Sequence, residues 1–169
     1  ATFEFDNCNF TNVVGYNTES VNNFAINIQS IGMESTEISY FKNSYFSQCS
    51  TGWFVIGSES NSEAPSKQFI IENIHFNDCS FESEADMVKI GNIRSTQDFN
   101  ISMKTLTFDN LYFKNRGSLV KFRQLLPSQM IVEDMIMTNI KGGSISIEPF
   151  EVSHQELKTR VIFKNLYAD

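Results

Sequence analysis

Apolar and polar residues alternate along this chain in short runs, and one run keeps returning. It reads LTFDNLYFKN at 106–115, FEFDNCNFTN at 3–12, SYFKNSYFSQ at 39–48 and FIIENIHFND at 69–78, with further copies in MIVEDMIMTN at 130–139 and VIFKNLYAD at 161–169. Period-two alternation in segments rich in Phe, Ile, Tyr and Val predicts strands, not helices. The alternation breaks at a central Asn or Asp. Aligned on that residue, Asn7, Asn43, Asn73, Asn110, Asp134 and Asn165 lie 36, 30, 37, 24 and 31 residues apart. Phe5 and Cys8 are both apolar yet three apart, so the chain must bend between them to keep both inside. Asn tolerates the left-handed backbone such a bend needs, and its amide can bond a copy stacked above it, so the column predicts an Asn ladder.

Two positions before each bend stand Phe5, Phe41, Ile71, Phe108, Val132 and Phe163. Three after it stand Phe10, Phe46, Phe76, Phe113 and Met137, expected to stack inward. Five after it runs a second polar column of Asn12, Gln48, Asp78, Asn115 and Asn139. A second strand then follows each phrase: NFAINI at 23–28, WFVIG at 53–57, MVKIG at 87–91, LVKF at 119–122 and SISIE at 144–148. Its inward pairs are read as Ile26 and Ile28, Phe54 and Ile56, Val88 and Ile90, Val120 and Phe122, and Ile145 and Ile147. A fixed phrase at variable spacing is what rigid strands joined by loops of changing length produce. The expectation is an all-β chain, a right-handed parallel β-helix (solenoid) of about five coils, with Asn ladders at the bends and tiers about 4.8 Å apart. An antiparallel sandwich or a left-handed solenoid is the alternative.

Composition narrows the partners more than the fold. With 41% hydrophobic residues the 169-residue chain has enough for one sizeable core, read as a single unit over 1–169. Lys and Arg number 13 against 20 Asp and Glu, a formal net charge of −7 with no basic cluster, which argues against nucleic acid and anionic membrane. No window approaches the roughly 20 apolar residues of a membrane span. The opening ATFEFDN has neither the basic nor the apolar region of a signal peptide, so the chain is expected to be processed or a segment of a longer solenoid or end-to-end assembly.

The phrase φ-x-φ-x-N-φ-x-F-x-N, as in LTFDNLYFKN, resembles the coil repeat of the pectin-lyase-like right-handed β-helix superfamily over nearly the whole chain. That resemblance implies the fold. It leaves function open, because the superfamily includes polysaccharide lyases and hydrolases as well as adhesins, surface proteins and structural fibres. The Asp pair, Gly-His-Gly and Arg-x-Lys of polygalacturonase-like members are not present, and neither His75 nor His154 has a Ser or Cys partner at a recognisable spacing.

Candidate sites follow from the columns. The position before each bend points outward and is expected to place Glu72, Asp109 and Glu133 in one row on consecutive coils, a set of oxygen ligands suited to calcium. The opposing reading is a solvated face offset by Lys42 and Lys164. Two positions past the bend, Tyr45, His75, Tyr112, Ile136 and Tyr167 form an exposed stripe for sugar rings or a protein partner, unless loops cover it. Cys49 and Cys79 occupy equivalent sites on consecutive coils, either as stacked thiols or as a disulfide. Asn9 and Asn100 head N-glycosylation sequons. With the fold, the sequons point to an extracellular or cell-surface location.

The functional expectation is a non-enzymatic structural or interaction module, presenting its Tyr stripe and its open β-helix ends to protein partners or further copies. The alternative is a carbohydrate-active β-helix that binds or cleaves an acidic polysaccharide with calcium, for which Lys89, Lys121 and Arg123 on the second strand are the available bases.

Overall fold

The computed structural model describes residues 3–14, 24–28, 38–56, 68–82, 85–91, 100–123, 129–148 and 160–169. Among these there is no helix, and ten strands join into one sheet. They are β1 (Glu4–Asp6), β2 (Asn9–Thr11), β3 (Phe24–Ile28), β4 (Ile38–Ser47), β5 (Gly52–Ile56), β6 (Gln68–Phe81), β7 (Ala85–Gly91), β8 (Asn100–Arg123), β9 (Gln129–Glu148) and β10 (Arg160–Ala168). Every pairing between them is parallel. Parallel neighbours need long crossovers, and here each return of the chain lays down the next tier.

The sheet has two arms. In the first, β1 and β2, then β4, β6, β8, β9 and β10 stack in that order. In the second, β3, β5 and β7 lead to the closing parts of the same β8 and β9. Because β8 belongs to both arms, the sheet curls round as an open trough, its strand path running β1, β4, β6, β8, β7, β5, β3. The second-arm registers are those expected: Ile26 faces Phe54, then Val88, Val120 and Ile145, with Ile28, Ile56, Ile90, Phe122 and Ile147 beside them.

Two bends turn each tier of the first arm. All eleven non-glycine residues with positive φ among the described residues fall in two columns. One holds Asn7, Asn43, Asn73, Thr105, Asp134 and Asn165; the other, five residues on, holds Asn12, Gln48, Asp78, Asn110 and Asn139. Asn and Asp tolerate left-handed backbone best, and they fill nine of the eleven places, Gln48 and Thr105 taking the other two. Amides link the tiers along both columns. In the first, Asn43 Nδ2 donates to Asp6 Oδ1 at 2.8 Å, Asn73 to Asn43 at 2.8 Å and Asn165 to Asp134 at 2.8 Å. In the second, Asn110 donates to Asp78 and Asn139 to Asn110 at 2.9 Å.

One tier differs from the sequence reading. Asn110 belongs to the second bend, not the first, and Asn115 to neither; Thr105 takes the first bend, facing the same level as Asn73 and Asp134. The first-bend spacings become 36, 30, 32, 29 and 31 residues, far more even than those of the sequence alignment. The error has a physical origin. With bends five residues apart, the apolar residues between them flank both, so LTFDN matches either bend, and Thr105 hides the true one.

The shift rearranges the core. Phe10, Phe46, Phe76, Phe108 and Met137 form the inward column, with Phe46, Phe76 and Phe108 fully buried. Phe76 and Phe108 stack with centroids 4.7 Å apart and planes 4° from parallel. Phe113, expected in that column, instead stacks on Phe81 at 4.7 Å in the segment past the second bend. Gly117 is required there, since a Cβ would run into the Phe113 ring. Met103 replaces Phe108 in the column of Phe5, Phe41, Ile71, Val132 and Phe163.

Two outcomes follow. Phe108→Ala should lower unfolding free energy by about 3–5 kcal/mol, because it removes a fully buried ring stacked on Phe76 and leaves a cavity that Met137 fills only in part; a loss below about 1 kcal/mol in urea titration would contradict the column. Thr105 is β-branched at φ 55°, a conformation costing on the order of 1–2 kcal/mol. Thr105→Asn should therefore stabilise the chain by about 1 kcal/mol, and a lower urea midpoint would show that the Thr is held by something more.

Candidate functional site

The outward position before the first bend forms a continuous row, tier by tier: Asp6, Lys42, Glu72, Lys104, Glu133, Lys164. Its charges alternate without exception. Lys42 Nζ lies 3.7 Å from Glu72 Oε2, and Lys164 Nζ lies 3.7 Å from Glu133 Oε1. Each pair is solvent-exposed and contributes little alone. The alternation matters more through what it avoids, since like charges directly opposite on adjacent strands are destabilising.

This corrects the expected acid row. Asp109 stands one bend further along, between Asn77 and Thr138, and Lys104 separates Glu72 from Glu133. The three carboxylates are thus not stacked together. Among the described residues, no group of three or more His, Cys, Asp or Glu is placed to hold a metal ion. Lys104 escaped the sequence reading for the same reason as Thr105: both belong to the tier read five residues too late. Even tier spacing was the signal that would have found them.

The stripe two residues past the bend runs Asn9, Tyr45, His75, Thr107, Ile136, Tyr167. Tyr112 is not in it. That side chain lies between Ser80 and Lys141, past the second bend, 45% exposed. Tyr45, Ile136 and Tyr167 are 40%, 41% and 59% exposed, so the stripe is open to solvent at these points. Neighbouring tiers hold it in place. Asn77 Nδ2 donates to the Tyr45 hydroxyl at 3.0 Å, His75 Nε2 meets Asn73 Oδ1 at 3.2 Å, and the Tyr45 and His75 rings lie 6.5 Å apart.

Cys49 and Cys79 sit just past the second bend on adjacent tiers, and both are buried free thiols. Each sulfur receives a backbone N–H from the tier before it, Val13 to Cys49 Sγ at 3.3 Å and Cys49 to Cys79 Sγ at 3.4 Å. Each thiol also donates within its own tier, Cys49 to the Ser47 carbonyl at 2.9 Å and Cys79 to that of Asn77 at 3.3 Å. Burial pushes the Cys79 thiol up to about 12 and raises that of Cys49 as well. A thiol that stays protonated at neutral pH is a poor nucleophile and a poor metal ligand.

The sequon residues Asn9 and Asn100 are both exposed; Asn9 Oδ1 accepts from Thr11 Oγ1 at 2.9 Å. His154 lies outside the described residues. On the second arm Lys89 and Lys121 are register partners, and Lys121 Nζ lies 3.6 Å from Asp86 Oδ2. Comparison with protein-family models, curated proteins and solved structures finds no match to this chain.

A metal titration checks the charge row. Millimolar calcium should leave the melting temperature of the chain unchanged, while Lys104→Glu, which restores three consecutive acids, should cost about 1 kcal/mol and regain part of it when calcium is added. A calcium-dependent rise in the unaltered chain would mean that these carboxylates meet in some other way.

Proposed function

We propose that the chain is a non-enzymatic structural or interaction module of an extracellular, cell-surface or filamentous protein. In this reading the curled parallel sheet is part of a right-handed β-helix of about five coils, of the kind seen in the pectin-lyase-like superfamily. The observation that carries the proposal is the direction of the polar contacts. Amides, ion pairs and thiols are spent linking one tier to the next, as in Asn73 to Asn43, Lys42 to Glu72 and Asn139 to Asn110. An enzyme of this architecture would instead converge an acid, a base and a substrate-orienting group on one point. A stack held by repeated tier-to-tier contacts is stiff along its axis, which suits a spacer or a display surface.

Protein partners, or further copies, would use the exposed Tyr45, Ile136 and Tyr167 or extend the sheet from β1 and β10, where Asp6 and Lys164 carry opposite charges. The exposed sequon residues Asn9 and Asn100 support a secreted or surface location. No helix of the described residues is long and apolar enough to cross a membrane.

Carbohydrate binding, with or without calcium-assisted cleavage, is the second reading. It is favoured by the Tyr45 ring, exposed beside the amide of Asn77, since an open aromatic next to a polar group can stack on a sugar ring. Incubation with polygalacturonate and alginate, with and without calcium, separates the two. The scaffold reading expects no new reducing ends and no unsaturated products. Product formation would overturn it, whereas retention on the polymer that Tyr45→Ala abolishes would identify a sugar-binding module without catalysis.

A further inference from the structure

Before its first bend, each tier of the first arm turns one side to the core and one outward. Phe41, Ile71, Met103 and Val132 are fully buried on the inner side. The outer residues Glu4, Tyr40, Ile70, Ser102, Ile131 and Ile162 form one register column, in which Glu4 is exposed and the other five stay only half-buried. A strip with four apolar residues in six therefore faces out, bordered on one side by the alternating charge row and on the other by Ile38, Gln68, Asn100, Gln129 and Arg160. A water-facing parallel sheet is unusual, since such sheets are ordinarily covered on both sides.

The charge row specifies what can cover it. Six charges in strict alternation, beginning with an acid and ending with a base, read backwards as the same row with every sign inverted. A second copy laid on this face with its tiers in reverse order puts Lys42 opposite Glu133 and Glu72 opposite Lys104. A copy with its tiers in the same order would put every charge opposite its like. The same reversal brings Tyr40 onto Ile131 and Ile70 onto Ser102, so the four central tiers of the strip cover each other, while at its ends Glu4 meets Ile162 beside Lys164.

We propose that this face is an isologous self-association surface, on which two copies pair about a two-fold axis parallel to the strands. The inference rests on the reading of the chain as an interaction module and names its partner as a second copy. The paired stretch is about five residues wide and six tiers long, roughly 400 Å² per copy, at the low end for protein interfaces. Association is accordingly weak and salt-dependent. Asn9 and Asn100 lie at the rim, where glycans would oppose the pairing, so the measurement belongs to the unglycosylated chain.

Sedimentation velocity of the full chain from ten to several hundred micromolar should show a monomer passing to a closed dimer. Ile131→Asp should weaken association at least tenfold with the thermal melt little changed. The double variant Y40K/I131D, whose new opposite charges face each other across the two-fold, should regain dimer that added salt then dissolves. If Ile131→Asp impairs folding, Ser102→Arg obstructs the same face at a site already polar. A strictly monomeric chain would overturn the proposal. So would association that grows without limit and ignores these variants; that outcome points to end-to-end joining and leaves the scaffold reading intact.

Discussion

The left-handed residues at the two bends are the constraint on which this molecule depends. A strand that continues straight must alternate inward and outward, so it cannot place apolar residues three apart on the same side. One residue at positive φ resets that alternation. Ile71 and Ile74, or Val132 and Met135, can then both turn to the interior. Repeating the reset five residues later curls the sheet towards the second arm and encloses the Phe column between them. The penalty of positive φ explains the Asn and Asp that fill these places, and their side chains then offset it by bonding between tiers.

Interior and exterior answer to different forces under this geometry. Inside, in-register stacking sets equivalent residues against each other every 4.8 Å or so, apolar on apolar: Phe46, Phe76 and Phe108 in one column, ending on Met137, and Phe41, Ile71, Met103 and Val132 in another. Outside, the same register would set like charges against like. The alternation from Asp6 to Lys164 removes that repulsion and also penalises any slip of one tier against the next, since a slip that shifts the row breaks the pairing along its length. Stability and register thus have different sources in this chain, the first mainly aromatic and the second mainly polar.

These features bear on function through what they leave uncommitted. Cys49 and Cys79 are buried and protonated, the ladder amides bond one another, and the carboxylates of the charge row have lysines as neighbours. Among the described residues, the open aromatic stripe past the bend and the half-buried strip before it are left facing solvent.

Much of this was already decided by the order of residues. Alternation of Phe, Ile and Val with polar residues determined that the chain is β throughout its described parts, and recurring Asn determined where most tiers bend. The second-arm columns and the stacked Cys49 and Cys79 were legible for the same reason: equivalent positions in a repeat must stack. Local pattern could not decide the register of the fourth tier. The segments on either side of each bend are nearly identical, so LTFDN satisfies both positions, and Asp109 and Tyr112 were drawn into rows they do not occupy. Only packing between tiers distinguishes the two, by laying Phe108 on Phe76, Phe113 on Phe81 and Lys104 between two glutamates. The sum of those contacts outweighs the strain of one left-handed threonine, and no single tier contains that comparison.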